Sequence, residues 1–287
     1  MTQAGLLALD SLTDGPNQRR LAEAGTIDEV LRGGLVGELL ALESKARTGQ
    51  RDFTPLASVK LLSPILNPEK IFCAAVNYAS HGKEQATKPP EAPYFFTKFR
   101  NAIAGPNDPI VLPRASKKVD WEVELAAVIG RRGKYIPRSE ALEYVAGYTV
   151  ANDVSYRDLL FHEALETKPD VQGLNWVKGK GLDGALPLGP WLVTSDELKT
   201  PRGLGLSLSV NGVVKQDSNT SEMIFGVEDM VEYLSQGMTL EPGDIITTGT
   251  PAGVAAFSGG PYLKEGDVVQ AEIEGIGALK NPVVAEA

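Results

Sequence analysis

The amino-acid sequence predicts an α+β fold that is rich in β-strands. Thirty glycines and nineteen prolines in 287 residues indicate many turns between short elements. Residues 204–210 alternate between leucine or valine and small residues, which is typical of a strand with one face in the core. Further along the chain, LEPGDII (240–246) and LKEGDVV (263–269) repeat one turn-and-strand pattern, as in a β-roll or barrel.

Residues 1–66 differ from the rest and predict a small accessory α/β domain, which leaves residues 67–287 as the main domain. Residues 4–9 have the composition of a strand, Thr26 can cap a short helix, and residues 36–46 have leucines at helical spacing. Prolines mark the approach to the main domain at positions 55, 64 and 68. We find no chemical motif in the accessory domain.

Apolar runs and turn residues predict the elements of the main domain in order. Asn211-Gly212, between two strand-like runs, is a strong hairpin pattern, and residues 221–237 have the apolar spacing of an amphipathic helix. The remaining predictions are strands over residues 70–76, 94–98, 119–130 and 145–150, helices over residues 139–144 and 155–165, and a short helix capped by Ser80.

The segment VDWEVELAAVIG (119–130) carries the clearest chemical pattern. Read as one strand, it has apolar residues on one face and Asp120, Glu122 and Glu124 on the other. A solvated strand face is the ordinary explanation, but the bulky apolar neighbours indicate a buried site. There, a hard cation held by oxygens makes paired carboxylates tolerable. Asp153, after the strand over 145–150, stands where a side chain can point into a site.

A histidine and a carboxylate follow the first strand of the main domain. His81 and Glu84 share a helix face at i and i+3. A carboxylate beside a histidine orients the ring and raises its basicity, as a general base requires, although a surface ion pair has the same spacing. Residues 85–93, with three prolines, predict a mobile lid.

Two cations and one turn add to this set. Arg157 follows Asp153 by four residues, so the two can pair at the start of a helix. Lys180 lies between Gly179 and Gly181, which allows a close approach to a site, although a flexible surface loop has the same composition. The turn TTGTPAG (247–253) can present amides and hydroxyls to a carboxylate.

The composition argues against several classes of function. The net charge of −9 disfavours nucleic acid as a partner, so an anionic substrate needs a local cation or a metal. The single cysteine, Cys73, rules out a disulfide framework and a cysteine zinc site. No apolar run is long enough to span a bilayer and we find no export signal, so we expect a cytoplasmic protein.

Taken in order, these motifs resemble the fumarylacetoacetate hydrolase family over roughly residues 68–281. They are Asn77-Tyr78 with His81 and Glu84, Glu122-Val123-Glu124, Asn152-Asp153-Val154-Ser155-Tyr156-Arg157-Asp158, Gly179-Lys180-Gly181, Pro187-Leu188-Gly189-Pro190, and Gly243-Asp244 to Thr250-Pro251. The resemblance implies a mixed β-sandwich roll, a homodimer, and Mg²⁺ or Mn²⁺ as the cofactor, with Ca²⁺ in some members.

The resemblance also implies a role for individual residues. The implied metal ligands are Glu122, Glu124 and Asp153. The implied catalytic residues are His81, Glu84 and Lys180. The implied substrate contacts are Tyr78, Lys98, Arg157 and Thr250.

On these roles, the sequence favours a metal-dependent hydrolase that cleaves a C–C bond in a 2,4-diketo acid of the acylpyruvate type. His81, held by Glu84, would activate water, and the metal with Lys180 would stabilise the pyruvate enolate that leaves. The products would be pyruvate and a carboxylic acid. Leu160 stands where many members of the family carry glutamine, which suggests a bulkier or less polar acyl group.

Other functions stay open beside this one. Within the same site, the alternative is a decarboxylase or a keto–enol isomerase of a 2-oxo acid such as oxaloacetate. A non-catalytic metal-dependent binding module is a more distant alternative. A glycosidase is disfavoured, because two neighbours on one strand cannot flank a sugar bond from opposite sides.

Overall fold

The computed structural model describes residues 6–8, 19–48, 53–85, 88–161 and 173–287. None of the helices in these ranges is long and apolar enough to cross a bilayer. The helices are α1 (Arg19–Glu23), α2 (Ile27–Arg32), α3 (Val36–Thr48), α4 (Ala79–Glu84), α5 (Arg157–Leu160), α6 (Trp176–Lys180), α7 (Val227–Ser235) and α8 (Ala255–Ser258). Short 3₁₀ helices cover Leu56–Ser58, Arg100–Ala102, Arg138–Tyr144 and Thr220–Glu222.

Fourteen strands lie within the described ranges. In chain order they are β1 (Ile71–Ala74), β2 (Phe95–Thr97), β3 (Ile103–Ala104), β4 (Ile110–Leu112), β5 (Val119–Asp120), β6 (Val123–Ile129), β7 (Val145–Asn152), β8 (Ser155–Tyr156), β9 (Leu186–Thr194), β10 (Gly205–Val210), β11 (Val213–Asn219), β12 (Ile245–Thr247), β13 (Val268–Ile273) and β14 (Gly277–Ala285).

The strands form two large mixed sheets and one small ribbon. The first sheet has the order β2-β1-β12-β6-β7-β9-β3, and β1 pairs in parallel with β12 while β6 pairs antiparallel with both of its neighbours. The second has the order β11-β10-β13-β14-β4, with a parallel β4–β14 pair. β5 and β8 form the ribbon. The sequence prediction of an α+β, β-rich fold is confirmed.

Hydrophobic patterning explains how the sheets pack. Every residue of β6 is buried, as expected for a strand covered on both faces, whereas β10 alternates and buries Leu206, Leu208 and Val210. These residues join one continuous core that also contains Leu125 and Val269 from the two sheets. The main core therefore lies between the sheets and carries β6 at its centre.

Two predicted patterns recur in the structure as expected. The hairpin turns at Asn211 and Gly212, which both have positive φ angles of 53° and 77°. The repeated turns before β12 and β13 have the same geometry, because Asp244 accepts a hydrogen bond from the amide of Glu241 (2.8 Å) and Asp267 accepts one from that of Lys264 (2.9 Å).

The prediction of one continuous strand over residues 119–130 is wrong. β5 ends at Asp120 and β6 begins at Val123, because side chains replace a neighbouring strand as hydrogen-bond partners of the backbone between them. The Glu122 amide donates to Asn152 Oδ1 (3.0 Å), and the Val123 amide donates to Gln216 Oε1 (3.0 Å). The break turns Glu122 away from a regular strand position.

Other boundaries also differ from the predictions. Ser80 lies inside α4, whose N-cap is Tyr78, and α7 begins at Val227 rather than at 221. Residues 155–165 do not form one helix, since β8 precedes the short α5 and residues 162–172 lie outside the described ranges. Lys180 lies on α6, which Asn175 caps, and not on a flexible loop.

The accessory residues at the N-terminus contain a small core of their own. Leu21, Val30, Leu35 and Leu42 pack together, and a capping box between Thr26 and Glu29 begins α2 as predicted. The predicted strand over 4–9 is described only at residues 6–8, where Leu6 makes a single bridge to Thr54. The buried Asp28 carboxylate accepts the amides of residues 66 and 67. A domain boundary at residue 66 stays a prediction.

Candidate metal centre

Three buried carboxylates meet at the N-terminal end of β6. Glu122 lies in the break before β6, Glu124 lies on β6, and Asp153 directly follows β7. Each offers an oxygen atom, and these atoms all lie within 4.8 Å of one another. The amide of Asp153 donates to the carbonyl of Glu122 (2.8 Å), which fixes the two backbones side by side. A buried all-carboxylate set is the donor chemistry that Mg²⁺, Mn²⁺ and Ca²⁺ prefer.

Cations hold two of these three carboxylates. Lys180 Nζ lies 2.7 Å from Glu122 Oε2 and 2.9 Å from Asp153 Oδ2, so it bridges them. Lys98 Nζ lies 2.8 Å from Asp153 Oδ1, and Arg157 Nη2 lies 2.6 Å from Glu122 Oε1. All of these side chains are less than a tenth exposed, so solvent screens the pairs weakly.

Glu124 is held differently from its neighbours. Its Oε2 accepts the amide of Gly249 (2.8 Å), and within the described part of the chain no cation forms an ion pair with it. Burial raises its pKa well above the usual range, and the nearby negative charges of Asp153 and Glu122 raise it further. Glu124 is therefore the carboxylate whose ionised form most needs an added positive charge.

The pKa of Glu122 moves in the opposite direction. Burial acts to raise this pKa, but the positive charges of Lys180 and Arg157 more than offset burial and lower it. For Lys180, burial acts to lower the pKa, and Asp153 with Glu122 outweighs that effect and raises it. Glu122 and Lys180 thus remain a charged pair at neutral pH.

His81 and Glu84 pair on α4 as the sequence predicts. His81 Nδ1 lies 3.2 Å from Glu84 Oε2, and the Glu84 carboxylate also accepts the amide of Gly253. The amide nitrogen of Gln85 contacts the other ring nitrogen, Nε2. These contacts assign the Nδ1–H tautomer to His81, with Nε2 as the proton-accepting atom.

A cavity of about 230 Å³ opens beside the carboxylates. Four of the predicted site residues line it, namely His81, Glu122, Arg157 and Lys180. The rest of the lining is Ala75, Val76, Gln85, Tyr94, Phe96, Leu160, Phe161, Leu174, Trp176 and Phe257. One part of the cavity is thus charged and most of the remaining wall is apolar.

The structure changes the placement predicted for Arg157. It does not pair with Asp153, because the short helix α5 turns its side chain toward β5. Arg157 Nε lies 2.8 Å from Asp120 Oδ2 instead, and its Nη2 reaches Glu122. Arg157 still lines the cavity, as a substrate contact would.

The other three predicted substrate contacts lie away from the cavity lining. Lys98 donates to the carbonyls of Val154 and Ala185 in addition to its ion pair with Asp153, which occupies its ammonium group. The Thr250 hydroxyl donates to the carbonyl of Val123 (2.9 Å).

Tyr78 is fully buried, and burial together with the charge of Glu124 raises its pKa. Its hydroxyl has no hydrogen-bond partner within the described ranges. The placement of Tyr78, like that of Lys98 and Thr250, favours a supporting role over direct contact with a substrate.

Asp120 is a site residue whose role sequence reasoning missed. Its Oδ1 accepts the amide of Ala255 (2.8 Å), and its Oδ2 accepts both the amide of Ala256 (3.0 Å) and Arg157 Nε. Asp120 therefore ties the start of α8 to the arginine that holds Glu122. The sequence placed Asp120 on the carboxylate face, but no local pattern points to a contact with α8.

Comparisons with known proteins agree on one family. The family model described as fumarylacetoacetate (FAA) hydrolase, C-terminal, matches residues 70–284. A rat (Rattus norvegicus) protein named mitochondrial oxaloacetate tautomerase Fahd2a is 45% identical over 85% of this chain and 76% of its own length.

Two solved structures extend the comparison. The structure of 5-carboxymethyl-2-hydroxymuconate delta-isomerase from Mycobacterium smegmatis is 42% identical, with a TM-score of 0.68, over 83% of this chain and 87% of that one. Fumarylpyruvate hydrolase from Pseudomonas aeruginosa, solved with Mn²⁺ and pyruvate, is 33% identical, with a TM-score of 0.69, over 77% and 91% of the two chains.

Proposed function

The chain belongs to the fumarylacetoacetate hydrolase family, and from this premise we propose that it is a divalent-metal-dependent keto–enol tautomerase of 2-oxo acids. One observation carries the proposal: a cluster of three buried carboxylates reaches a mostly apolar cavity through Glu122, and Lys180 and the glutamate-held His81 line the same cavity. The name of the rat relative, oxaloacetate tautomerase, supports the same reaction class.

The residues present fit a divalent ion, which Glu122, Glu124 and Asp153 would hold. When bound, Mg²⁺ or Mn²⁺ supplies Lewis-acid polarisation of the 2-oxo group and offsets the negative charge that develops on its oxygen. Glu84 holds the Nδ1–H of His81, so Nε2 is free to accept a proton from carbon 3 of the substrate once Gln85 moves aside.

The proton then returns from His81 to the substrate, so the reaction consumes no water. The imidazolium of His81 protonates the oxygen on carbon 2, which converts the keto form into the enol. Lys180, whose raised pKa keeps it charged, stabilises that oxygen electrostatically during the transfer. The Phe257 ring packs against His81 and the Phe161 ring packs against Phe257, so the wall beside the base is apolar.

The sequence alone favoured hydrolysis of an acylpyruvate over this reaction, whereas the name of the rat relative supports tautomerisation. Hydrolysis requires a water molecule held against the distal carbonyl. Apart from Gln85, His81 and the three charged side chains, the described lining of the cavity is apolar or aromatic. Tautomerisation needs only a base and an electrophilic oxygen site, which this lining provides.

Carbon–carbon hydrolysis remains the second candidate. The His81–Glu84 pair is the arrangement that activates water, and the Pseudomonas aeruginosa relative is named a fumarylpyruvate hydrolase. Decarboxylation of oxaloacetate uses the same metal chemistry without a base at carbon 3. One assay separates all three reactions.

The test uses the metal-free protein with and without added Mg²⁺ or Mn²⁺. Metal-dependent acceleration of the keto–enol interconversion of oxaloacetate, followed by ultraviolet absorbance without release of pyruvate, is the expected result. Pyruvate formed from oxaloacetate would instead identify a decarboxylase. Pyruvate and a matching acid formed from an acylpyruvate would identify a hydrolase, and either product in place of tautomerisation contradicts the proposal.

His81→Ala tests the base. We expect the rate to fall by about 10²- to 10⁴-fold, because a positioned general base contributes that much. Mn²⁺ affinity, measured by titration calorimetry on the same variant, should stay unchanged, because His81 is not among the three carboxylate ligands. An unchanged rate would show that another group accepts the proton.

A further inference from the structure

The cavity beside the carboxylates has two chemically different parts. Its charged part contains His81, Glu122, Arg157 and Lys180. The other part, here called the apolar subsite, is formed by Phe96, Leu160, Phe161, Leu174, Trp176 and Phe257. A ligand whose oxo-acid end occupies the charged part must extend its remaining atoms along this apolar subsite.

Ring packing holds the walls of the apolar subsite in place. Phe96 and Trp176 stack at 4.4 Å with their rings nearly parallel, and Tyr94 meets the Trp176 ring edge at 6.3 Å. In a second group of rings, Phe257 contacts His81 (5.9 Å) and Phe161 (6.5 Å). The subsite is therefore a preformed aromatic slot that leads directly to the base.

A close contact with α6 fixes Leu160 in the cavity wall. It is 2% exposed, and Gly179 on α6 packs against it so closely that a Cβ atom on Gly179 would lie 2.5 Å from Leu160 Cβ. The glycine allows α6 to approach α5, and the same α6 carries Lys180. The spacing between the ammonium group and the apolar wall is thus set by this contact.

Among the described lining residues, charge pairing leaves no unpaired cation for a second carboxylate in the subsite. The guanidinium of Arg157 is paired with Asp120 and Glu122, and the ammonium of Lys180 is paired with Glu122 and Asp153. No other lysine or arginine lies in the described cavity lining. A ligand carboxylate in the apolar subsite would lose hydration, and the nearest cations, Arg157 and Lys180, already hold protein carboxylates.

The charge of the whole cluster leads to the same conclusion. Four buried carboxylates, those of Asp120, Glu122, Glu124 and Asp153, face three buried cations, those of Lys98, Arg157 and Lys180. In fully ionised form the cluster has one excess negative charge, which a divalent ion turns into one excess positive charge. One carboxylate of a 2-oxo acid neutralises that charge, whereas a second carboxylate brings an uncompensated one.

We propose that the apolar subsite selects 2-oxo acids whose far end is an uncharged apolar group, in preference to 2-oxo dicarboxylates such as oxaloacetate. This inference rests on the proposed function only in placing the oxo-acid end at the metal centre. Phe257 and Leu160 are the specificity residues. The Phe257 ring contacts both His81 and the guanidinium of Arg157, and Leu160 lines the same cavity from α5, the helix that carries Arg157.

A matched pair of inert ligands tests the preference. N-isobutyl oxamate and N-oxalylglycine share the oxo-acid end and nearly the same shape, but the first ends in an isopropyl group and the second in a carboxylate. We expect the Mn²⁺-loaded protein to bind N-isobutyl oxamate at least about tenfold more tightly in titration calorimetry. Equal or tighter binding of N-oxalylglycine overturns the inference.

Substitutions in the apolar subsite test whether it causes the preference for N-isobutyl oxamate. Leu174→Lys, at a half-buried position of the lining, should bring N-oxalylglycine to equal or better affinity by adding a cation there. Leu160→Gln should weaken N-isobutyl oxamate by several-fold. Val213→Lys, at an exposed position of the β10–β11 hairpin, is the control and should leave both affinities unchanged. An unaltered preference in both subsite variants contradicts the assignment.

The two ligands separate this inference from the proposed function, because neither oxamate can enolise and binding is measured without turnover. If the protein prefers the apolar ligand but turns over no 2-oxo acid, the proposed tautomerase activity is refuted and the proposed selectivity of the subsite is retained. If the protein tautomerises oxaloacetate rapidly but prefers N-oxalylglycine, the proposed selectivity of the subsite is refuted and the proposed tautomerase activity is retained.

Discussion

Among the buried charges at the end of β6, each carboxylate has a different set of partners. Asp153 is held by a lysine at each oxygen, Glu122 by Lys180 and Arg157, and Glu124 by the amide of Gly249. A buried ion pair is costly to break from one side, because the remaining charge is left without a partner. The cations therefore hold Asp153 and Glu122 in place when no metal is bound, whereas Glu124 has no cation partner among the described residues.

Lys98 can be tested as a positioning residue for Asp153. Lys98→Met leaves Asp153 Oδ1 without its ammonium partner, so we expect Mn²⁺ affinity to fall by about 10- to 100-fold, the usual effect of losing a group that orients a metal ligand. Titration calorimetry measures the change, and circular dichroism verifies folding. Lys178→Met removes an exposed lysine of α6 that is not among the partners of Asp153, and it should change nothing. Equal affinities in the two variants would refute this role.

The raised pKa of Glu124 leads us to expect that metal affinity depends on pH. Its pKa is raised in the metal-free protein, by burial first and by Asp153 and Glu122 in addition. A metal requires the ionised carboxylate, so below the raised pKa binding must release a proton, and affinity must fall as the pH falls through that pKa. Calorimetry in buffers of different ionisation enthalpy measures the released proton. Binding without proton release at a pH below the raised pKa would contradict the assignment.

At the scale of elements, local chemistry predicted some parts well. The hairpin at Asn211-Gly212 and the cap at Thr26 follow from the conformations and hydrogen bonds of two or three residues. The break between β5 and β6 was missed because Asn152 and Gln216, which cause it, are remote in sequence. The pairing of Arg157 with Asp120 was also missed, because these two residues are remote in sequence.

The sequence predicted those groups of the site whose residues lie close together in the chain. The spacing of Glu122 and Glu124 indicated buried carboxylates, and His81 with Glu84 indicated a pair on one helix face. Tertiary contacts decided which groups line the cavity, so the roles implied for Lys98 and Thr250 could not be checked without the fold.

Two glycines provide a matched test of strand packing. In Gly147→Ala the new Cβ would lie 2.2 Å from the carbonyl oxygen of Val193 on β9, so the β7–β9 pair must separate. We expect the free energy of unfolding to fall by about 3 kcal/mol. Gly212→Ala has open space and only a positive φ, and should cost about 1 kcal/mol. Urea denaturation measures both, and a larger loss for Gly212→Ala would contradict the packing.

At the scale of the whole molecule, the metal centre joins segments from across the main domain. Its ligands and their partners come from β6, the end of β7, α6 and the loop after β12. Binding an ion to all of them at once should stabilise the folded state as a unit, because the unfolded chain has no such site.

We expect Mn²⁺ at about 100 times its dissociation constant to add about 2.7 kcal/mol of stability. For a chain of this size that corresponds to a rise in Tm of about 5 °C. Differential scanning fluorimetry measures the shift. Asp153→Asn should abolish it, while Glu222→Gln, an exposed acidic residue outside the centre, should retain it. A full shift in Asp153→Asn would place the ion elsewhere.

The position of β12 has a consequence for how the protein is made. β12 lies between β1 and β6 in the first sheet, yet it is synthesised long after both. Until it emerges from the ribosome, β1 and β6 each expose an open edge to other chains, a state prone to aggregation. Closure of this sheet is therefore a late event with high contact order, and slow folding should follow. Because Gly249 comes directly after β12, a nascent chain cannot present a complete metal centre before that closure.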